Sequence, residues 1–227
     1  MNVAVHVSSQ PTSLVTELYA RTKTLHVEAE RTGIINDLLR GQACRDDYIL
    51  FLRNLLPAYR EMESGLERHS STSAMKALAA YKLERAPAIE SDLGALCGEG
   101  WADNIPLLPA GEKYALKVAD AAADDGGRLI AHAYARYLGD LSGGLILQRL
   151  LARSLELSPS ELSFYAFPQF PDLSLLKKEY REALDVAGTS VNDPKAVIEE
   201  GALAFSLNID LSMAVQNAAS IRPKAAI

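Results

Sequence analysis

AHAYARYLGDLSGGLILQRL, residues 131–150, decides how this chain is read. Its apolar residues return at three- and four-residue steps, the period of a helix rather than the two-residue alternation of a strand. Gly139, Gly143 and Gly144 nevertheless stand inside it, and a glycine in a helix interior costs roughly 0.5–1 kcal/mol against alanine. Glycines one turn apart strip the side chains from one face, so that another backbone or a flat ligand can come close. Packing of a second helix explains that spacing as readily as a ligand platform does. The polar company of Tyr134, Arg136, Tyr137, Asp140 and Ser142 favours the ligand, because a helix that only packs has no need of them.

Outward from this stretch the helical period continues in both directions, with neither sustained strand alternation nor an internal repeat, so the expected fold is all-α. A first helix follows Pro11-Thr12-Ser13, with Leu14, Leu18, Thr22, Leu25 and Ala29 along one face. A short second helix spans residues 32–40, stopped by Gly41. Tyr48, Leu52, Leu55, Tyr59, Met62 and Leu66 mark a third helix of about six turns. Pro57 lies inside it, removes a hydrogen bond and is expected to kink or open it. A fourth helical region reaches Leu93 and Leu96, a loop with Gly98, Gly100, Pro106 and Pro109 surrounds Trp101, and a fifth helix covers residues 110–123. Beyond the quoted segment come a loop with Phe164, Tyr165, Phe167, Pro168 and Pro171, and a helix over 173–186. The last helix opens on the cap pair Asp193-Pro194 and passes Phe205 and Asn208. No stretch has linker composition, so a single domain is expected over 12–218, with a flexible N-terminal tail at 1–11 and a C-terminal tail at 219–227.

The chain of 227 residues and 24.6 kDa is long enough to bury a core without disulfides or metals. Its 23 Lys+Arg against 29 Asp+Glu leave a net charge of −6 and a pI near 5.3, which argues against a general nucleic-acid binder. Cys44 and Cys97 stand outside any CxxC pair, which excludes a thiolate-rich zinc site or a disulfide framework and fits a reducing cytoplasm. Residues 201–221 hold one charge, Asp210, and approach the length of a membrane span. Asn208, Gln216 and Asn217 also interrupt them, so they read as a core helix. The start, MNVAVHVSSQ, has no cationic n-region of a signal peptide, and a cytoplasmic protein without a membrane partner is expected.

Of the four histidines, His6, His26, His69 and His132, His26 has the most suggestive surroundings. Tyr19, Lys23, His26 and Glu30 share one side of the first helix. A carboxylate one turn beyond the imidazole can accept its second N–H, fix the tautomer and make the other nitrogen a better metal ligand. The same residues also read as an i,i+4 surface pair. Lys177, Lys178 and Arg181, with Tyr180 between them, form a late basic group that is either a solvated face or, placed near Lys23, a grip for the carboxylates of a ligand.

Together these segments resemble the heme oxygenase family. AHAYARYLGDLSGGLILQRL is similar to its distal-helix signature and LHVEAE, residues 25–30, to its proximal-histidine segment. The third helix, FYAFP, KEYR and AFSLNI follow in the family's order, over roughly residues 14–213. The resemblance implies a single-domain helical bundle that sandwiches heme between a proximal helix and a kinked distal helix. It implies that His26 is the axial ligand of the heme iron and Glu30 its partner. Gly139 and Gly143 would let the distal helix bend over the heme, and Asp140 would hold a water network that directs activated oxygen to a meso carbon. Tyr59, Arg136 and Asn208 match supports of that network. Lys23, Tyr134, Lys177 and Arg181 match propionate anchors that select the α-meso edge, and Gly144 and Phe205 match positions along the heme.

The activity implied is oxidative cleavage of heme b, cofactor and substrate at once, to biliverdin IXα, carbon monoxide and ferrous iron with O2. The chain carries no GxGxxG fingerprint, so electrons would come from a separate ferredoxin or flavoprotein reductase. A biliverdin reductase or bilin acceptor would take the product, and a monomer is expected. Three positions depart from the family: Tyr19, where many relatives have a basic residue, Pro57, and Leu145, where glutamine is usual. The competing reading is a heme carrier or sensor that keeps the fold without turning heme over, although Asp140 and the glycines together suit catalysis. A di-iron carboxylate bundle needs two Glu-x-x-His pairs, and no glutamate stands three residues before any histidine.

Overall fold

The side chain of Ser13 accepts a hydrogen bond from the Thr16 amide and starts the first helix, α1, Leu14–Arg31. The computed structural model describes residues 13–221, so the tail expected at 1–11 lies outside the described residues. Nine further α-helices follow among the described residues: α2 (Gly33–Leu39), α3 (Arg45–Arg68), α4 (Lys76–Ala79), α5 (Ala86–Cys97), α6 (Trp101–Asn104), α7 (Pro109–Ala121), α8 (Leu129–Ser154), α9 (Leu173–Gly188) and α10 (Pro194–Ile221). Two 3-10 turns, Pro159–Glu161 and Ser163–Tyr165, join α8 to α9, and no strand occurs among the described residues. The fold is therefore all-α, as its periodicity predicts.

Two helices organise the rest. α3 carries the apolar stripe from Tyr48 to Met62 into the centre and packs on α5, α7, α8 and α10. Helical structure continues through Pro57, so the proline does not interrupt α3. Burial of Leu55, Leu56, Ala58 and Tyr59 on either side holds that turn in place. Fully burying a Leu or Met contributes about 1.5–3 kcal/mol, enough to offset one missing backbone bond. α10 is the second organiser, touching α1, α2, α3, α7 and α8. It runs to Ile221, past the boundary expected at 218. None of the described helices is long and apolar enough to cross a membrane.

α1 lies close on α10 and α9. A Cβ added at Gly201 would come within 2.6 Å of Leu18 Cδ2, and one at Gly188 within 2.6 Å of Leu14 Cβ. The Val15 amide donates to Asp185 Oδ1 at 2.8 Å, and Arg21 forks onto Glu199 at 2.8 and 3.0 Å. The segment that sequence reading treats as one fourth helix is α4 and α5 with a connection between them, and one turn of helix, α6, holds Trp101.

α8 stays helical through all three glycines. From Leu129 to Leu141 it is buried at every position except half-buried Arg136 and exposed Gly139. Ser142 Oγ donates back to the Leu138 carbonyl one turn earlier, a bond that bends helices.

Candidate functional site

Asp140 is 6% exposed at the heart of α8. Tyr59 of α3 donates its hydroxyl to Asp140 Oδ2 at 2.5 Å. Arg136, one turn earlier on α8, donates Nε to the Tyr59 oxygen at 3.0 Å and sends one terminal nitrogen to Asn208 Oδ1 of α10 at 2.5 Å. Its other terminal nitrogen stands 3.5 Å from Asp140 Oδ1. Asn208 passes the chain on by donating to the hydroxyl of Tyr114, on α7, at 2.9 Å. Four helices thus contribute to one hydrogen-bonded cluster, and Asp140, Tyr59, Arg136 and Asn208, predicted from sequence, are brought together.

Burial pushes the Asp140 carboxyl upward against the Arg136 cation and the Tyr59 hydrogen bond, which pull it down. Burial also works against the Arg136 charge, but Tyr59 and Asp140 outweigh it and hold the guanidinium firmly protonated. A carboxyl with raised proton affinity, held by Tyr59 on one oxygen and approached by Arg136 on the other, can hold a proton or order a water without moving.

The glycines beside it answer the choice left open by sequence. A Cβ at Gly139 or Gly143 would meet nothing within 4 Å, whereas one at Gly33, Gly65, Gly111, Gly126, Gly188 or Gly201 would come closer than 3.0 Å to a neighbouring atom. Among the described residues no helix packs against the face of Gly139 and Gly143, so helix packing does not account for them. Gly144 belongs to a different face: its added Cβ would stand 3.2 Å from Tyr165 Cδ1. The structure thus places Gly144 against the protein interior rather than on the open face with Gly139.

On α1, His26 is 52% exposed at its side chain and its Nδ1 lies 3.6 Å from Glu30 Oε1. Its ring tilts against buried Phe205 of α10, with 5.6 Å between centroids. Nδ1 therefore faces the carboxylate, and the ring offers Nε2. Lys23, on the same helix, is exposed. On α9, Arg181 is exposed and Lys177 half-buried, one turn apart. Among the described residues none of these three cations has a carboxylate within 4 Å, while neighbouring Lys178 pairs with Glu182. Tyr134 bridges the groups from α8: burial raises its hydroxyl, while Thr22 of α1 and the Arg181 cation draw it down. Tyr19 is 59% exposed beside them.

Sequence reading missed several members. Tyr114 joins the network from α7, where it looks like one more residue of an apolar stripe. Glu63 accepts the Ala86 amide at 3.1 and 3.2 Å and the Arg85 amide at the start of α5, with the Tyr137 hydroxyl 3.4 Å away. His132, fully buried, meets Glu200 Oε1 at 3.0 Å, and Glu200 also takes Arg128 at 3.1 Å. Only long-range folding joins these pairs, and no local spacing announces them.

The sequence profile of the heme oxygenase family matches residues 12–214. Heme oxygenase 1 of Nostoc sp. is 32% identical over 200 residues, which cover 88% of this chain and 84% of that protein. Heme oxygenase 1 of Homo sapiens is 32% identical over 206 residues, covering 89% and 72% respectively. Among solved structures, heme oxygenase-1 of Synechocystis sp. in complex with heme superposes with a TM-score of 0.83 at 27% identity, covering 91% of this chain and 94% of that one. The heme oxygenase of Leptospira interrogans gives 0.82 at 32% identity, with 89% and 99% covered.

Proposed function

This chain belongs to the heme oxygenase family, enzymes of heme degradation, and from that premise we propose that it cleaves heme at the α-meso carbon to biliverdin IXα, carbon monoxide and ferrous iron. The observation that carries the reading is the open face of Gly139 and Gly143 beside a buried Asp140 fixed by Tyr59 and Arg136. With nothing within 4 Å of either added Cβ among the described residues, a flat ring could approach the backbone of α8 on this face.

Heme, when bound, supplies both the iron that activates oxygen and the carbon framework that is oxidised. His26 would hold the iron through Nε2, with Glu30 keeping the proton on Nδ1 and thereby making Nε2 the better donor. Lys23, Lys177 and Arg181, free of carboxylate partners among the described residues, and the Tyr134 hydroxyl suit the two propionates. By gripping both propionates, Lys23, Lys177, Arg181 and Tyr134 would set the rotation of the ring and so select the meso edge that is attacked. Asp140 holds a proton or a water beside the open face, and Arg136, Tyr59 and Asn208 keep its carboxyl from swinging. Gly139 and Gly143 keep side chains out of the path. Electrons would come from a ferredoxin or flavoprotein reductase that docks transiently. A cytoplasmic monomer is part of the same reading.

One equivalent of hemin added to the protein, followed by a reductant in air with catalase present, tests it. Loss of the Soret band with release of biliverdin is expected, and chromatography of the product reads the regiochemistry. A heme complex that survives reductant and oxygen would overturn the reading in favour of a carrier or sensor.

A further inference from the structure

Two buried tyrosine hydroxyls have no hydrogen-bond partner among the described residues: Tyr48 on α3 and Tyr165 in the 3-10 turn before α9. Tyr48 is fully buried and Tyr165 is 2% exposed. A phenylalanine would pack as well at either place, and a dry, unpaired hydroxyl is costly. Their position gives them a use. The Tyr165 ring lies on Gly144, one helical turn beyond Asp140 on the same stripe of α8. Phe164 next to it stands edge-on to Tyr59, with 5.6 Å between ring centroids. The turn carrying Tyr165 therefore forms the floor under the Asp140 cluster.

The two hydroxyls are close enough to perturb each other, yet neither reaches a partner in hydrogen-bond geometry, which leaves the Tyr165 proton to be given elsewhere. Two anions lie within electrostatic reach of Tyr165, Asp140 and Asp92. Asp92 is already engaged, accepting the Ser163 amide and hydroxyl and the Phe164 amide. Asp140 has room: Oδ2 takes Tyr59, but Oδ1 has only the long 3.5 Å contact with Arg136. An ionised carboxylate accepts at about four lone-pair sites.

We propose that Tyr48 and Tyr165 form a second arm of the Asp140 network, in which a buried water carries the Tyr165 proton donor to the carboxylate. Tyr165 is then a positioning residue that sets how tightly Asp140 holds a proton. Buried waters that bridge such groups make about three hydrogen bonds, and Tyr48, Tyr165 and Asp140 supply that number. The arm rests on the heme-cleaving reading for its purpose, but its existence does not. The other groups facing Asp140 are Arg136 on its own helix, Tyr59 on α3, Arg85 ahead of α5 and Tyr114 on α7.

The test is a carboxyl-carbon NMR titration of the heme-free protein, with Asp140→Asn to assign the signal. A donor to the charged form lowers a carboxyl's proton affinity, so Tyr165→Phe raises the Asp140 midpoint by about one pH unit and Tyr48→Phe by less. In the heme-loaded protein the acid limb of the turnover profile moves the same way, with hemin affinity unchanged. An Asp140 midpoint that stays put in both variants overturns the arm and reduces the pair to packing. Should the variants not fold, crystallography of the unsubstituted protein decides. A water within about 3.2 Å of both Tyr165 Oη and Asp140 is expected, and a direct bond of Tyr165 Oη to another group contradicts it. A shifted midpoint in a chain that does not degrade heme would uphold the arm and sink the heme-cleaving reading. Turnover with an unmoved midpoint does the reverse.

Discussion

Gly139 and Gly201 are both glycines inside helices, and their surroundings ask opposite things of them. A methyl group at Gly201 would collide with Leu18, whereas one at Gly139 would meet no atom within 4 Å. Gly139→Ala should therefore stabilise the heme-free protein by about 0.5–1 kcal/mol, the usual helix preference of alanine. Gly201→Ala should destabilise it by about 1–3 kcal/mol through overpacking. Urea unfolding of both variants checks the pair, and a destabilised Gly139→Ala would mean that α8 is covered on this face by the protein itself. This contrast separates what the sequence revealed from what it withheld. The glycine spacing and its polar neighbours Arg136 and Asp140 sit within one helical stretch, so the pattern is local and legible. Whether those glycines face a helix or a void depends on where α1, α9 and α10 lie. Tyr59 and Asn208 were reached only through the family's order of segments. Tyr114 escaped notice, and Tyr48 and Tyr165 were read only as stripe and loop residues, because a buried tyrosine with a polar task looks, in a sequence, like one packed for its ring.

At the scale of the element, α3 carries a proline expected to kink or open it, and the helix runs through without interruption. Core burial on both sides of that turn decides the outcome, and such burial is invisible to local propensity. Pro57→Ala should stabilise the protein by about 2 kcal/mol, less than the full helix penalty because proline also restricts the unfolded chain. It should leave heme turnover unchanged, since Tyr59 already reaches Asp140. Slower turnover in that variant would mean that the proline sets the position of Tyr59. The start of α5 supplies a pH-dependent feature. Burial lifts the Glu63 carboxyl to about 7, against the downward pull of the Arg85 and Ala86 amides that it accepts. The folded protein thus holds this proton more tightly than the unfolded chain. The stability it contributes is complete below about pH 4.5 and is lost as pH rises through about 7. Glu63→Gln should remove that dependence and unfold at higher urea than the parent protein at pH 8, by an amount on the order of 3 kcal/mol. Parallel stability curves for the two proteins between pH 5 and 8, at about equal spacing, would contradict the assignment.

Over the whole molecule, the bundle holds its two candidate heme-facing helices by different means. α8 is buried against α3, α9 and α10, while α1 is clipped to its neighbours by Asp185, Glu199 and the close approaches at Gly188 and Gly201. The cations of the candidate site, Lys23, Lys177 and Arg181, have no carboxylate partner among the described residues of a chain whose net charge is −6. Reversing two of them, Lys177→Glu with Arg181→Glu, should weaken hemin binding by about tenfold or more and make what remains less sensitive to salt. Equal hemin affinity would place the propionates elsewhere. The central claim is that the Asp140 cluster beside an open glycine face makes a bound heme the substrate. A single turnover of one equivalent of hemin, run side by side in the unsubstituted protein and in Asp140→Ala under the same reductant, tests it most directly. Both proteins should bind hemin with similar affinity and only the first should release biliverdin; equal biliverdin yields from the two would contradict the account.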